Sequence, residues 1–142
     1  MIRTIALLAA ATAPLALPPK GAEFEGATAQ RGAISFVISR DGTRVLNFTV
    51  SVRATCKNVG ATVDARKFKA MKLFRDGSFS GVVRDVPPHV VPQGGRMWVR
   101  GRFDSRTHVR GSVNLIARRP DPAGGVAFCQ SGTLSWSASL AR

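Results

Sequence analysis

From Leu46 to Cys56 the chain alternates without a break. Leu46, Phe48, Val50, Val52, Ala54 and Cys56 fall on one side, and Asn47, Thr49, Ser51, Arg53 and Thr55 on the other. A period of two over so long a run belongs to a β-strand with one buried and one wet face, which is the habit of antiparallel sheets. The C-terminal run repeats it, with Leu134, Trp136, Ala138 and Leu140 opposed to Thr133, Ser135, Ser137 and Ser139.

Further strands are predicted at Ala33 to Arg40, Ser78 to Val86, Met97 to Phe103 and Thr107 to Ala117, separated by Asp-Gly and Gly/Pro-rich breaks. With edge segments the count is about seven or eight, and no long helical period interrupts them. The fold class is therefore all-β, an antiparallel β-sandwich, with a closed β-barrel as the alternative, because alternation does not say whether a sheet closes on itself. Ala65 to Phe74 reads equally as an irregular strand or a short basic helix. Pro87 to Gly95 and Pro120 to Gly125 read as loops.

Parity also predicts registers. Ile34, Phe36 and Ile38 must face the same way as Leu46, Phe48 and Val50, which a three-residue loop Asp41-Gly42-Thr43 satisfies. In the Met97 to Ala117 hairpin, Val99, Gly101 and Phe103 oppose Trp98, Arg100 and Arg102. Val109, Gly111, Val113 and Leu115 likewise oppose His108, Arg110, Ser112 and Asn114. A turn at Asp104-Ser105-Arg106 would set Arg100 across from Arg110 and Arg102 across from His108. Like charges directly across a ladder are destabilising.

Ile5 to Leu17 is apolar apart from Thr12, follows Arg3 and precedes Pro18, Pro19 and Lys20, the pattern of a cleavable export signal. It is too short to span a bilayer. The predicted organisation is a signal peptide over residues 1–22, with an indistinct cut, and a single domain over 23–142, without a transmembrane segment once the signal is removed. The expected localisation is secreted or periplasmic. In such a compartment the two cysteines, Cys56 and Cys129, are expected to form one disulfide, two free thiols being the alternative. The chain-entropy estimate for so long a loop is about 4 kcal/mol. A metal site lacks further ligands at suitable spacing, and no cofactor is implied.

The chain carries 21 Lys and Arg against 8 Asp and Glu, a formal net charge of +13. Such a field concentrates anionic partners: acidic polysaccharide, nucleic acid, teichoic acid or anionic headgroups. Sixteen of the basic residues are arginine, which a GC-rich genome would also produce. The candidate ligand-binding set is Trp98, Arg100, Arg102, His108 and Arg110, a strand face on which an anionic or sugar ligand can stack and pair. The bland reading is a solvated outer face with Trp98 beneath a loop. No base-specific nucleic-acid recognition is implied. Arg66, Lys67, Lys69, Lys72 and Arg75 form the densest basic cluster and read as a solvated edge.

Catalytic residues are not identified. Asp85 and His89, and Asp104 and His108, are each four apart but lie at strand ends and loops. Gly77-Ser78-Phe79-Ser80-Gly81 has phenylalanine where a nucleophile elbow needs serine. The acids Glu23, Glu25, Asp41, Asp64, Asp76, Asp85, Asp104 and Asp121 mostly fall at turns. The expected function is a non-catalytic domain binding anionic envelope or extracellular polymers. The alternatives are a carbohydrate-binding module, for which exposed aromatics look scarce, and a secreted hydrolase with a loop-borne site.

The order Gly32-Ala33-Ile34-Ser35-Phe36, Phe48, Cys56, Asp76-Gly77-Ser78-Phe79-Ser80, Val99-Arg100-Gly101-Arg102-Phe103, Gly111-Ser112-Val113 and Cys129-Gln130-Ser131-Gly132-Thr133-Leu134-Ser135-Trp136-Ser137-Ala138 spans nearly the whole mature chain. It resembles a recurrent secreted bacterial β-sandwich domain of actinobacterial type, a group without an assigned activity. The resemblance implies export, the sandwich and one cysteine bridge, and no catalytic residue.

Overall fold

A computed structural model describes residues 17–85 and 94–142. The signal segment through residue 16, His89 and most of the Pro87 to Gly95 loop lie outside the described residues. The described chain is all-β: β1 (Glu23–Thr28), β2 (Ala33–Ile38), β3 (Arg44–Cys56), β4 (Gly60–Lys67), β5 (Met71–Lys72), β6 (Ser78–Asp85), β7 (Gly94–Phe103), β8 (His108–Pro120) and β9 (Val126–Leu140). All pairings are antiparallel, in the order β4-β3-β2-β1-β9-β8-β7-β6, with β5 on β3. Ala65 to Phe74 is thus strand and connection, not helix.

The nine strands form one sheet network, not two separate sheets, because β3 also pairs with β9. β3, β2, β1 and β9 thereby close into a four-stranded ring, the barrel-like alternative. One edge of β3 serves three partners in turn. Val45 to Val50 pair with β2. Arg53 then exchanges two hydrogen bonds with the Gln30 side-chain amide, its N–H donating to Oε1 at 2.9 Å and its carbonyl accepting from Nε2 at 2.8 Å. Finally Thr55 and Cys56 pair with Gln130 and Cys129. Cys129 lies within the last strand, and its disulfide to Cys56 joins directly opposed residues whose Cα atoms are 4.0 Å apart. The Lys57 N–H bonded to the Phe128 carbonyl marks this as a non-hydrogen-bonded pair, the closer of the two antiparallel pairings. Beside it, Arg119 reaches from β8 to the buried Asp64 of β4 at 2.6 and 2.8 Å, tying the same end of the core. The acids divide evenly, since Glu23, Glu25, Asp64 and Asp85 lie in strands and Asp41, Asp76, Asp104 and Asp121 in turns and connections.

The core is aromatic. Six of the eight phenylalanines are buried with Trp136. Phe24 stacks on Phe36 and meets Phe103 edge-on, each at 5.1 Å between centroids, and Phe48 packs against both Phe68 and Trp136 at 5.5 Å. The inward face expected of β3 holds from Phe48 to Cys56. It fails at Leu46, where the buried residue is Val45. Asn47 stands at φ 54°, and a register shift beside it reverses parity. Asparagine tolerates this left-handed conformation better than most residues. The β2–β3 loop is accordingly one residue longer than expected, with Ser39 N–H bonded to the Arg44 carbonyl. A second irregularity, with Gly132 at φ 68°, divides β9 into segments whose inward residues are Ala127 and Cys129 before it and Trp136 and Ala138 after it.

Residues ahead of β1 belong to the fold. Ala22 is buried and its carbonyl accepts from Ile38 N–H at 2.8 Å, while Gly21 N–H donates to the Ser39 carbonyl.

Gly101 and Gly111 face each other on β7 and β8. A Cβ on Gly101 would lie 2.5 Å from the Phe79 ring and 2.8 Å from that of Trp136. The missing side chain is what lets these rings lie flush beneath the sheet. Gly101→Ala is expected to lower unfolding free energy by about 1–3 kcal/mol through overpacking, measured by urea denaturation. An unchanged midpoint would mean the rings yield freely. In the β2–β3 loop, Asp41 accepts hydrogen bonds from the Ser39 and Thr43 hydroxyls and the Thr43 N–H, which lower its pKa from 3.8 to about 2. The folded pKa is depressed, so this stabilisation is complete above the unfolded value and disappears as pH falls through the folded one. The melting-temperature difference between wild type and Asp41→Ala should therefore close between about pH 4 and pH 2. A constant difference across that window would contradict the assignment.

Candidate functional site: an arginine-rich sheet face

β6, β7, β8 and β9 lie side by side, and pairing aligns their outward residues into rows. Ser78, Arg102, Arg110 and Ser137 make one row, and Ser80, Arg100, Ser112 and Ser135 the next. Val82, Trp98, Asn114 and Thr133 follow, then Arg84, Arg96, Ile116 and Gln130. Arg118 and Phe128 come last. The parity that places Met97, Val99 and Phe103 in the core necessarily sends Arg96, Trp98, Arg100 and Arg102 outward, and the structure shows that division.

The register differs by one step from the sequence expectation. Asp104 N–H bonds to the His108 carbonyl, so the turn is centred on Ser105 to Thr107. Arg102 then faces Arg110, and Arg100 faces Ser112. The expected Arg100 to Arg110 and Arg102 to His108 oppositions are corrected, and the Arg102 to Arg110 repulsion is relieved at its outer end. Arg110 Nε lies 3.2 Å from an Asp104 carboxylate oxygen, and Arg102 lies 4.0 Å from Asp76. The Asp76 carboxyl is held below the usual carboxylate range, first by the Ser78 hydroxyl at 2.6 Å and its N–H, with Arg102 a smaller contributor. Exposed pairs of this kind contribute little free energy. Arg100 makes no ion pair among the described residues, and no acid stands in these outward rows.

Two shallow troughs cross the face. One, of about 460 Å³, is lined by Trp98, Arg100 and Ile116 together with Ser112, Asn114 and Thr133. The other, of about 340 Å³, is bounded by Phe74, Ser80, Arg102 and Arg110. They share Arg100 and Ser112. Trp98 is 37% exposed and so not tucked away. The two phenylalanines outside the core, Phe74 and Phe128, are 48% and 61% exposed, and a cation sits over each ring: Lys72 at 5.0 Å and Arg118 at 5.4 Å. Sequence reasoning missed both as surface residues. Phe128 shows the signal in hindsight, since it alternates with the inward Ala127 and Cys129.

Of the predicted set, Trp98, Arg100, Arg102 and Arg110 share this face. His108 sits at its end, where Nδ1 lies 2.8 and 2.9 Å from the two Asp104 carboxylate oxygens. No serine or threonine hydroxyl is hydrogen-bonded to His108 among the described residues, so the Asp104–His108 pair does not by itself assemble a nucleophile. Asp85 ends β6, and His89 lies outside the described residues. Among those described, no group of three or more His, Cys, Asp or Glu residues is arranged to hold a metal ion, and no helix is long and apolar enough to cross a membrane. No protein-family model, curated protein or solved structure matches the chain.

Trp98 stands among guanidinium groups while Trp136 is buried. The ratio of iodide to caesium quenching should therefore exceed that of free N-acetyltryptophanamide at equal ionic strength, and Trp98→Phe should remove most of the excess. A ratio no higher than that of the free compound would mean that the ring does not experience a positive field.

Proposed function

We propose that this chain is an exported, non-catalytic domain that binds polyanionic envelope or extracellular polymers through the outer face of β6 to β9. The observation that carries the proposal is the distribution of charge on that face. Arg84, Arg96, Arg100, Arg102, Arg110 and Arg118 project from three adjacent strands, β6, β7 and β8, and the carboxylates that pair with them among the described residues, Asp76 with Arg102 and Asp104 with Arg110, lie at one end. Guanidinium groups are suited to such ligands because each offers a planar fork of donors and is less strongly hydrated than an ammonium. A surface held together by water-exposed charges would give weakly selective, salt-sensitive affinity. Export is proposed from the apolar N-terminal segment and agrees with the Cys56–Cys129 bridge, since disulfides persist in oxidising compartments. The resemblance to secreted β-domains of actinobacterial type fits the same reading.

The test is chromatography of the disulfide-bonded protein on immobilised heparin, on other polyanions and on neutral glycans, with elution by salt. Retention on polyanions is expected, and Arg100→Ala combined with Arg110→Ala should elute at distinctly lower salt while keeping the wild-type circular dichroism spectrum. Unchanged elution of that variant would remove the face from the explanation. Salt-resistant retention on a neutral glycan would favour a carbohydrate-binding module instead.

A further inference from the structure

We propose that the outer face is a track for single-stranded nucleic acid, a reading that rests on the polyanion function above and names its substrate class. Side-chain chemistry alternates along the face. Moving from the Phe103 end of β7 toward the Arg118 end of β8, one meets Phe74 beside Arg102 and Arg110, then Arg100, then Trp98, then Arg96 with Ile116, and finally Phe128 with Arg118. Exposed rings at Phe74, Trp98 and Phe128 thus alternate with guanidinium groups. Residues 110 to 118 of β8 span roughly 27 Å at the usual rise per residue, a length within the reach of a few nucleotides. A single strand presents the complementary alternation, flat bases and phosphate anions, and base stacking on aromatic side chains is sequence-tolerant because every base has a π-face.

The trough at Trp98 separates this ligand from other polyanions. Trp98 and Arg100 line it together with the outward residues Ser112, Asn114 and Thr133, whose side chains carry hydroxyl and amide groups. The Asn114 Nδ2 donates to the Thr133 hydroxyl at 3.4 Å, a weak hydrogen bond that leaves its second N–H and its carbonyl oxygen open to a ligand. An indole beside hydroxyl and amide groups suits a planar base with a hydrogen-bonding edge. An acyl chain from a lipid would leave those polar groups unpaired, and a sulfated glycan has anions but no π-face for the three rings. Double-stranded DNA keeps its bases stacked internally, so it would use only the arginines.

The experiment is fluorescence anisotropy with a labelled oligothymidylate of about fifteen residues, using the disulfide-bonded protein, with heparin, duplex DNA of equal charge and phosphatidylglycerol vesicles as competitors. The oligothymidylate should bind in preference to the duplex and quench the exposed tryptophan. Trp98→Ala should weaken that binding roughly ten-fold and leave heparin affinity nearly unchanged. Arg100→Ala should instead flatten the dependence of log affinity on log salt by about 0.7 for each phosphate it no longer neutralises. Both variants are surface changes, with folding checked by urea denaturation. If heparin binds through Arg100 but the oligothymidylate does not bind, or binds equally to wild type and Trp98→Ala, the nucleic-acid proposal is overturned and the polyanion reading stands. Capture by vesicles alone would also overturn it, and absence of binding to every probe would overturn both.

Discussion

The pairing of β3 with β9 is the constraint on which the rest of the structure depends. These are two of the longest strands, far apart in sequence, and their meeting at Thr55, Cys56, Cys129 and Gln130 turns an otherwise open ladder into a ring. Bringing such distant segments together costs loop-closure entropy, which the Cys56–Cys129 bond removes from the unfolded chain in advance. Once β3 is held there, its other end must leave room for β1 and β2, and the Gln30 amide occupies the interval in which Arg53 has neither neighbour. Asp64 with Arg119 then ties β4 to β8 beside the bridge.

The outer face follows from the inner one. Phe79 and Trp136 lie flush beneath β7 only because Gly101 has no side chain, while at the facing Gly111 a Cβ would run into the Arg100 backbone. The rings fill the space beneath, so alternate residues on either side are turned to solvent, and these are the arginines and Trp98. The charge of the face is therefore coupled to core packing through strand parity. Apart from Phe74, which stands on the β5–β6 connection, the residues lining the troughs belong to a packed, hydrogen-bonded sheet, which limits how far they can move when a ligand arrives and favours binding by preorganised groups.

Much of this was legible from alternation. Phe48 to Cys56, Met97 to Phe103 and Trp136 to Ala138 show the predicted inward and outward sides, because burial of every second side chain is written directly in residue type. Registers were less legible. The β2–β3 loop gained a residue, and the parity break at Asn47 moved Val45 inward in place of Leu46. The β7–β8 turn shifted by one, which changed Arg100 to Arg110 into Arg102 to Arg110. Each shift depends on a local backbone conformation or turn closure whose energetic preference is small beside the packing of the whole sheet.

The sequence by itself determined the all-β class, the inward position of Cys56, the excess of positive charge and the outward parity of Trp98, Arg100, Arg102 and Arg110. These are properties of single strands, decided by the period of two and by side-chain chemistry. Only the tertiary structure decided that β3 meets β9, that Phe74 and Phe128 join Trp98 on the exposed surface near the arginines, and that two troughs meet at Arg100. Those relations depend on which strands become neighbours and in what register, and that choice is made by closure of the ring and packing of the aromatic core, not by any one segment.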